Sequence, residues 1–350
     1  MHNESQLVRP NTFFVAYRYG NHAGTSGYDR FADYLGESVT VSHRLKRLGD
    51  TLFRVPAKLI SWTCGSYEYS RHDAIQELAV RMHMGQHRDA LYHFLYAEKS
   101  LRFVGACNRW RGHRIIGSFH HCAFKYPIYF RSTKHFSRLE HAIVVSRIQM
   151  EHMEKIVGRG RVSFVPYAVD ADYFQPARHR EDRKLRCTCV GQHLRDYESL
   201  EKIVQRVTAT LPEVEFYVIG ANTKFNYLSE VPGIVFKRNI PDEEYREILQ
   251  QTDLLVLPLL DSTSVTTVNE SLACGVPVLT NFGGISDYLN ENCAMQFPVG
   301  DVDAMASAAI DLLRDDATRQ RMSQAARTQG LALHWPNSAR QMRAIYDAIP

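Results

Sequence analysis

The chain has 350 residues, 45% of them hydrophobic and 23% charged, with a formal net charge of +4. That length exceeds what one core ordinarily holds, so two domains are expected, and the composition is that of a soluble globular protein, not a disordered or fibrous one. No apolar run approaches the roughly 18 residues of a membrane span, and Met1 to Gln6 do not read as a signal peptide.

The seven cysteines are scattered, and Cys187 and Cys189 stand too close together for a usual zinc knuckle. Small buried thiols in a reducing cytoplasm are the expected state. Charge is unevenly spread. Residues 1–168 hold 24 Lys+Arg against 13 Asp+Glu, whereas the remainder holds 18 against 25. Thirteen of the sixteen histidines also lie in the first part. The basic half therefore suits an anionic partner such as a membrane surface or a lipid pyrophosphate, although a solvated basic surface has the same composition.

In chain order, Thr12 to Tyr17 reads as a buried strand, and Gly20 to Gly27 as a glycine loop opening the helical pattern Tyr28, Phe31, Ala32, Leu35. Its spacing is not the dinucleotide Gly-x-Gly-x-x-Gly. Residues 36–112 carry less signal: helical periodicity is predicted over Asp73–Met84 and Ala90–Val104. Basic and aromatic residues interleave at Lys99, Arg102, Phe103 and at Arg109-Trp110-Arg111, a pattern that suits lipid headgroups or a plain surface. Arg114–Phe119 is a strand ending in His120-His121-Cys122. Neighbours on a strand point to opposite sides, so the two histidines cannot share a metal. Another short strand is predicted over His141–Ser146.

A strand at Val162 leads through Pro166 to Phe174, and Arg178 to Lys184 is a charged loop, so the domain boundary belongs near 168–185. Beyond it the pattern is regular α/β. Strands are predicted at Leu185–Val190, Glu215–Ile219, Ile234–Phe236, Leu254–Pro258 and Val276–Thr280. Helices are predicted near Tyr197–Thr210, Asp242–Gln250, Val265–Ala273 and Val302–Leu313, with a last one over Ser338–Ile349.

The segment from Asp261 to Leu279 says most about chemistry. Hydroxyl-rich Ser262, Thr263 and Ser264 precede a helix carrying Thr266 and Thr267, a Gly-Val-Pro break ends it, and an apolar strand follows. Free N–H groups and the positive dipole end at such a start suit a phosphate. Glu270 follows Thr266 by four residues and shares its face, placed to accept both hydroxyls of a ribose. A second glycine turn at Gly283-Gly284 opens at the same sheet edge, as in ligand crevices of doubly wound folds.

Ser262 to Leu289 resembles the signature region of retaining GT-B glycosyltransferases of the family four type, with Glu270 at the second acidic position and the Ala-x-Gly-x-Pro-Val and Gly-Gly elements in place. The first acidic position falls on Ser262, with Asp261 one residue earlier. The resemblance implies an α/β, GT-B fold: two facing Rossmann-like domains over 1–170 and 171–334, and a terminal helix, 335–350, crossing back to the first. It implies that Glu270 holds the donor ribose, that Ser26-Gly27 lies over the donor phosphates, and that His120, with His121 as fallback, approaches the transferred sugar. Val162 to Phe174 resembles the segment joining the two domains. The family's two diphosphate-gripping cations are replaced by Gln192 and Tyr197, which leaves His193 and Arg195 as the nearest substitutes.

The expected activity is transfer of a sugar from a nucleotide diphosphate sugar to an acceptor hydroxyl, with retention implied by the resemblance alone. Donor-binding residues are expected to be Ser26, Gly27, His193, Arg195, Ser262, Thr266, Thr267 and Glu270, with His120 catalytic. No cofactor or metal is expected, since Asp170-Ala171-Asp172 reads as structural. The expected partners are the donor, a sugar, lipid-linked or small-molecule acceptor, and an anionic membrane surface; nucleic acid is not expected. The expected location is cytoplasmic, with a peripheral place on the inner membrane face. The alternatives are a nucleotide-sugar epimerase on the same fold and a non-catalytic nucleotide-sugar-binding subunit.

Overall fold

Short apolar strands alternating with amphipathic helices build parallel sheets covered on both faces. In the computed structural model, which describes residues 11–16, 27–40, 59, 69–177, 184–220 and 223–350, they do so twice. Of the described residues, unit one holds 11–16, 27–166 and 336–350, and unit two holds 167–177, 184–220 and 223–335.

Unit one runs β1 (Thr12–Val15), α1 (Phe31–Leu35), β2 (Glu37–Ser38), α2 (Arg71–Gln86), β3 (Leu91–Phe94), α3 (Ala97–Ser100), β4 (Arg114–Phe119), α4 (Tyr126–Tyr129), β5 (His141–Val144), α5 (Met150–Val157) and β6 (Val162–Phe164). The sheet order is β2-β1-β3-β4-β5-β6, with every pair parallel. Phe94, Ile115, Phe119, Phe136 and Val144 are central to its core. Helix α2 begins at a capping box, in which the Ser70 N–H and hydroxyl both bond the Asp73 carboxylate.

The helical periodicity predicted over Ala90–Val104 does not survive. All four residues of β3 are buried, and strands covered on both faces lose the alternation that separates them from helices. Only the four-residue α3 and a 3-10 turn at Val104–Cys107 are helical there.

Unit two runs β7 (Arg186–Val190), α6 (Tyr197–Thr210), β8 (Glu215–Ile219), β9 (Ile234–Lys237), α7 (Asp242–Gln250), β10 (Leu254–Leu257), α8 (Thr266–Ala273), β11 (Val278–Asn281), β12 (Ala294–Phe297), α9 (Val302–Arg314) and α10 (Asp316–Ala332). Elements β12 and α10 had no counterpart among the sequence-based expectations. All but the first residue of α11 (Trp335–Ala348) belongs to unit one. There the Tyr346 hydroxyl bonds His93 Nδ1 at 2.6 Å, and Arg114 Nε donates to the Pro350 carbonyl at 2.9 Å.

The second sheet, also all parallel, has the order β12-β11-β10-β7-β8-β9, which reverses direction between β7 and β10. In open parallel sheets such a switch point leaves a crevice beyond the carboxyl ends of the strands. No helix among the described residues is long and apolar enough to cross a membrane.

Candidate functional site

The loops leaving β7 and β10 meet at that switch point. Arg195 and Leu259 form an antiparallel bridge, Leu260 N donates to Leu194 O at 3.0 Å, and Asp196 N donates to Pro258 O at 3.0 Å. Gly191 opens the first loop at φ 91°, a conformation that suits glycine. A Cβ there would stand 2.8 Å from the Arg195 guanidinium, so the missing side chain is also what lets the cation fold back.

Arg195 Nε donates to Val190 O at 2.8 Å and Nη1 to His193 O at 2.9 Å. Burial lowers its pKa, and among the described residues no carboxylate pairs with it. A guanidinium held by carbonyls and left without a counter-charge is suited to an anion. The exposed His193 contributes its carbonyl to this arrangement. Tyr197 is buried, and its hydroxyl donates to the Gly191 carbonyl, so it braces the loop.

Helix α8 begins one residue later than the pattern predicted, with Val265 as its N-cap. Val265 has no polar side chain, and the N-cap makes no side-chain bond. Ser262 is buried against the Gly-Gly turn, its Oγ accepting from Ile285 N at 3.1 Å and its carbonyl from Gly284 N at 3.1 Å. Its own N–H is taken by Asp261 Oδ1 at 2.7 Å. Asn281, at the end of β11, fixes the β10 loop by accepting from Leu259 N at 2.7 Å.

Glu270 is 6% exposed. Its Oε2 accepts from the Tyr245 hydroxyl at 2.5 Å, and burial pushes the carboxyl up to about 7, with the Tyr245 bond opposing that rise. Oε1 has no partner among the described residues and is not sealed from solvent. Thr266 and Glu270 line one narrow cleft with Tyr167, Val169 and Phe174. That segment is pinned over α8: Asn269 Nδ2 donates to Tyr167 O at 2.8 Å, and Tyr167 N donates to the Tyr288 hydroxyl at 2.9 Å. Thr267 is buried beside the Tyr245 phenol. Asp170 accepts from Asp172 N and Tyr173 N within its own turn.

Unit two thus gathers Thr266, Thr267 and Glu270 on one helix, with Arg195 and Ser262 on loops at the same sheet edge. His120 and Gly27 belong to unit one, and Ser26 lies outside the described residues. Gly27, at φ 121°, precedes the turn that buries Tyr28. The Tyr28 ring meets His120 edge-on at 4.6 Å, while Tyr96 stacks on the same imidazole at 4.6 Å. His120 Nε2 bonds the Leu95 carbonyl at 2.8 Å. A carbonyl can only accept, so Nε2 carries a proton, and in the neutral ring Nδ1 is an acceptor.

The Arg109-Trp110-Arg111 cluster is engaged within unit one. Arg109 makes a two-bond pair with Glu140, Arg81 lies 3.7 Å over the Trp110 ring, and Arg111 Nε donates to His87 O. Exposed apolar side chains stand elsewhere: Phe124 and Ile128 are 48% and 59% exposed, and exposed Arg131 follows them in sequence. Two participants escaped the sequence reading, the half-buried Tyr245 and the buried Glu98. Tyr245 belongs to the same helix as Leu249 with nothing to single it out, and Glu98 lies in the stretch misread as one helix.

Residues 183–315 match the family model "Glycosyl transferases group 1". Among curated proteins, a D-inositol 3-phosphate glycosyltransferase from Corynebacterium urealyticum is 30% identical over 34% of this chain and 28% of its own. A GDP-mannose-dependent alpha-mannosyltransferase from Mycobacterium tuberculosis is 27% identical over 56% of this chain and 54% of its own. The chain therefore spans about half or less of the length of these relatives. Among solved structures, an Anabaena protein in complex with UDP and glucose superposes with a TM-score of 0.67 at 11% identity, covering 97% of this chain and 99% of that one. A glycosyltransferase from Rickettsia africae gives 0.65 at 14% identity, covering 97% and 98%. Sucrose-phosphate synthase from Thermosynechococcus elongatus gives 0.62 at 18% identity, covering 79% and 77%. These likenesses establish the GT-B fold. The family match falls on the unit that holds Arg195, Thr266 and Glu270, so it is this part of the chain that is similar to the group 1 glycosyl transferases.

Proposed function

We propose that this protein transfers a sugar from a nucleotide diphosphate sugar to an acceptor hydroxyl, with retention at the anomeric carbon and without a metal. The observation that carries the reading is Glu270: a buried carboxylate with one oxygen fixed by Tyr245 and the other unbonded among the described residues, on a residue that lines a narrow cleft with Thr266 at the start of α8. A ribose supplies two adjacent hydroxyl donors, and a carboxylate is the side chain that accepts both. The helix start beside Thr266 and Thr267 and the uncompensated Arg195 supply positive potential for a departing diphosphate. His120 at the end of β4 is assigned to the transferred sugar. Gly27, Ser262 and His193 complete the donor-side assignment.

Incubation with uridine, guanosine and thymidine diphosphate sugars, followed by product analysis, tests this. Transfer to an added acceptor, or slow donor hydrolysis, is the expected outcome. Interconversion of donors without an acceptor would assign an epimerase, and binding without turnover a non-catalytic subunit.

The acceptor is proposed to be a sugar or lipid-linked hydroxyl reached from a cytoplasmic, peripheral position on an anionic membrane. The basic balance of residues 1–168 and the exposure of Phe124, Ile128 and Arg131 support this surface. Co-sedimentation with phosphatidylglycerol vesicles should be strongest at low salt, because exposed charges are screened as ionic strength rises. Absence of binding at low salt would contradict it.

A further inference from the structure

Beyond Phe119, the last β4 residue paired with β5, the chain leaves the sheet, and the next two N–H groups have no strand to bond. Glu98 takes both. The carboxylate is 3% exposed, and its Oε1 accepts from His120 N and from His121 N, the latter at 2.9 Å. Gln149 holds the same turn from the other side, its Nε2 donating to Phe119 O at 3.1 Å and His121 O at 3.0 Å. The imidazole of His120 is fixed in turn by the Leu95 carbonyl and the Tyr96 ring, both supplied by the segment that leads into Glu98.

We propose that Glu98 is a positioning residue for sugar transfer: its carboxylate fixes the His120-His121 turn, and through it the direction in which the His120 imidazole is presented. Strand ends usually find their N–H partners in backbone or water; here one buried carboxylate oxygen serves two consecutive amides. An anionic acceptor shared by adjacent N–H groups holds the turn more tightly than a neutral one would. The inference rests on the glycosyltransferase reading and on the assignment of His120 to the sugar. It adds a residue that touches neither substrate.

The test is a double-mutant cycle between Glu98→Ala and His120→Ala, with Glu98→Gln as the conservative variant. Turnover is counted per molecule folded in unit one, measured by chemical denaturation of each variant, so that loss of folded protein drops out. His120→Ala and Glu98→Ala should each lower kcat by at least about tenfold, with donor KM changed by less than about threefold. The double variant should be no slower than His120→Ala, because one residue acts through the other. Glu98→Gln retains an acceptor oxygen and should recover most of the rate. Additive losses, or unchanged kcat per folded molecule in Glu98→Ala, would overturn the proposal.

A readout independent of activity is the carbon-13 Hε1 resonance of His120, identified by its disappearance in His120→Ala. It should move in Glu98→Ala and stay in place in Glu98→Gln, and a resonance unmoved in both contradicts the role of Glu98. A wild type that binds nucleotide but turns over no nucleotide sugar would defeat the glycosyltransferase reading instead, and the resonance would still decide the positioning.

Discussion

The two units share one architecture, six parallel strands with helices, and differ in what they do with buried polar groups. Unit one closes two groups of them into networks of its own, while others, such as Thr12 Oγ1 and His152 Nε2, are buried without a partner among the described residues. Tyr346, His93, Ser118 and Tyr28 form a continuous buried chain with contacts of 2.6, 2.8 and 3.2 Å, and burial holds the His93 imidazole neutral by lowering its pKa to about 3. Glu77 accepts from the N–H groups of Arg102, Phe103 and Val104 and from the Tyr69 hydroxyl. Unit two leaves groups open: Arg195 without a counter-charge, α8 without a side-chain cap, and Glu270 with an unbonded oxygen. Closed networks specify a fold, whereas open ones are where a ligand completes the bonding.

The comparison breaks first at Arg195. Arg195→Met should weaken nucleoside diphosphate binding by about 2–3 kcal/mol, the scale of a charge-assisted contact. Binding of the corresponding nucleoside, which lacks phosphate, should hardly change. Calorimetry with the pair of ligands decides it: equal losses for both would make Arg195 a loop brace and not an anion site.

In unit one the expected effect is on stability alone. Tyr346→Phe leaves His93 Nδ1 without its partner in a buried site and should cost about 1–2 kcal/mol in chemical denaturation. Nucleotide affinity in unit two should be unaltered. A fall in affinity with unchanged stability would erase the contrast between the units.

How much of this was legible follows from where the signals lie. Glu215–Ile219, Tyr197–Thr210 and Asp242–Gln250 match their predicted bounds because amphipathic helices alternate there with short β-branched runs. The sequence also pointed to Thr266 and Glu270 as neighbours, since four-residue spacing on a helix is geometry that survives any tertiary context. What Ser262 bonds was not legible: its Oγ accepts from the Gly-Gly turn, 23 positions away. Tyr245 and Glu98 were illegible for a common reason. Each meets its partner across more than 20 positions of sequence, and no local pattern encodes such a pairing.

The central claim is that Glu270 binds the donor ribose, and nucleoside diphosphate affinity in wild type and Glu270→Gln, measured by calorimetry from pH 6 to 8, tests it most directly. Ribose hydroxyls bond best to the ionised carboxylate, so wild-type affinity should rise relative to the variant as pH passes about 7, with proton release on binding. Because the folded carboxyl titrates above its ordinary value, its contribution to stability is present in acid and is lost as pH rises through about 7. The unliganded variant should therefore gain stability relative to wild type over that range. At pH 8 the variant should bind about 1–3 kcal/mol more weakly. Equal affinity in the two proteins across the whole range would contradict the ribose assignment and with it the proposed donor site.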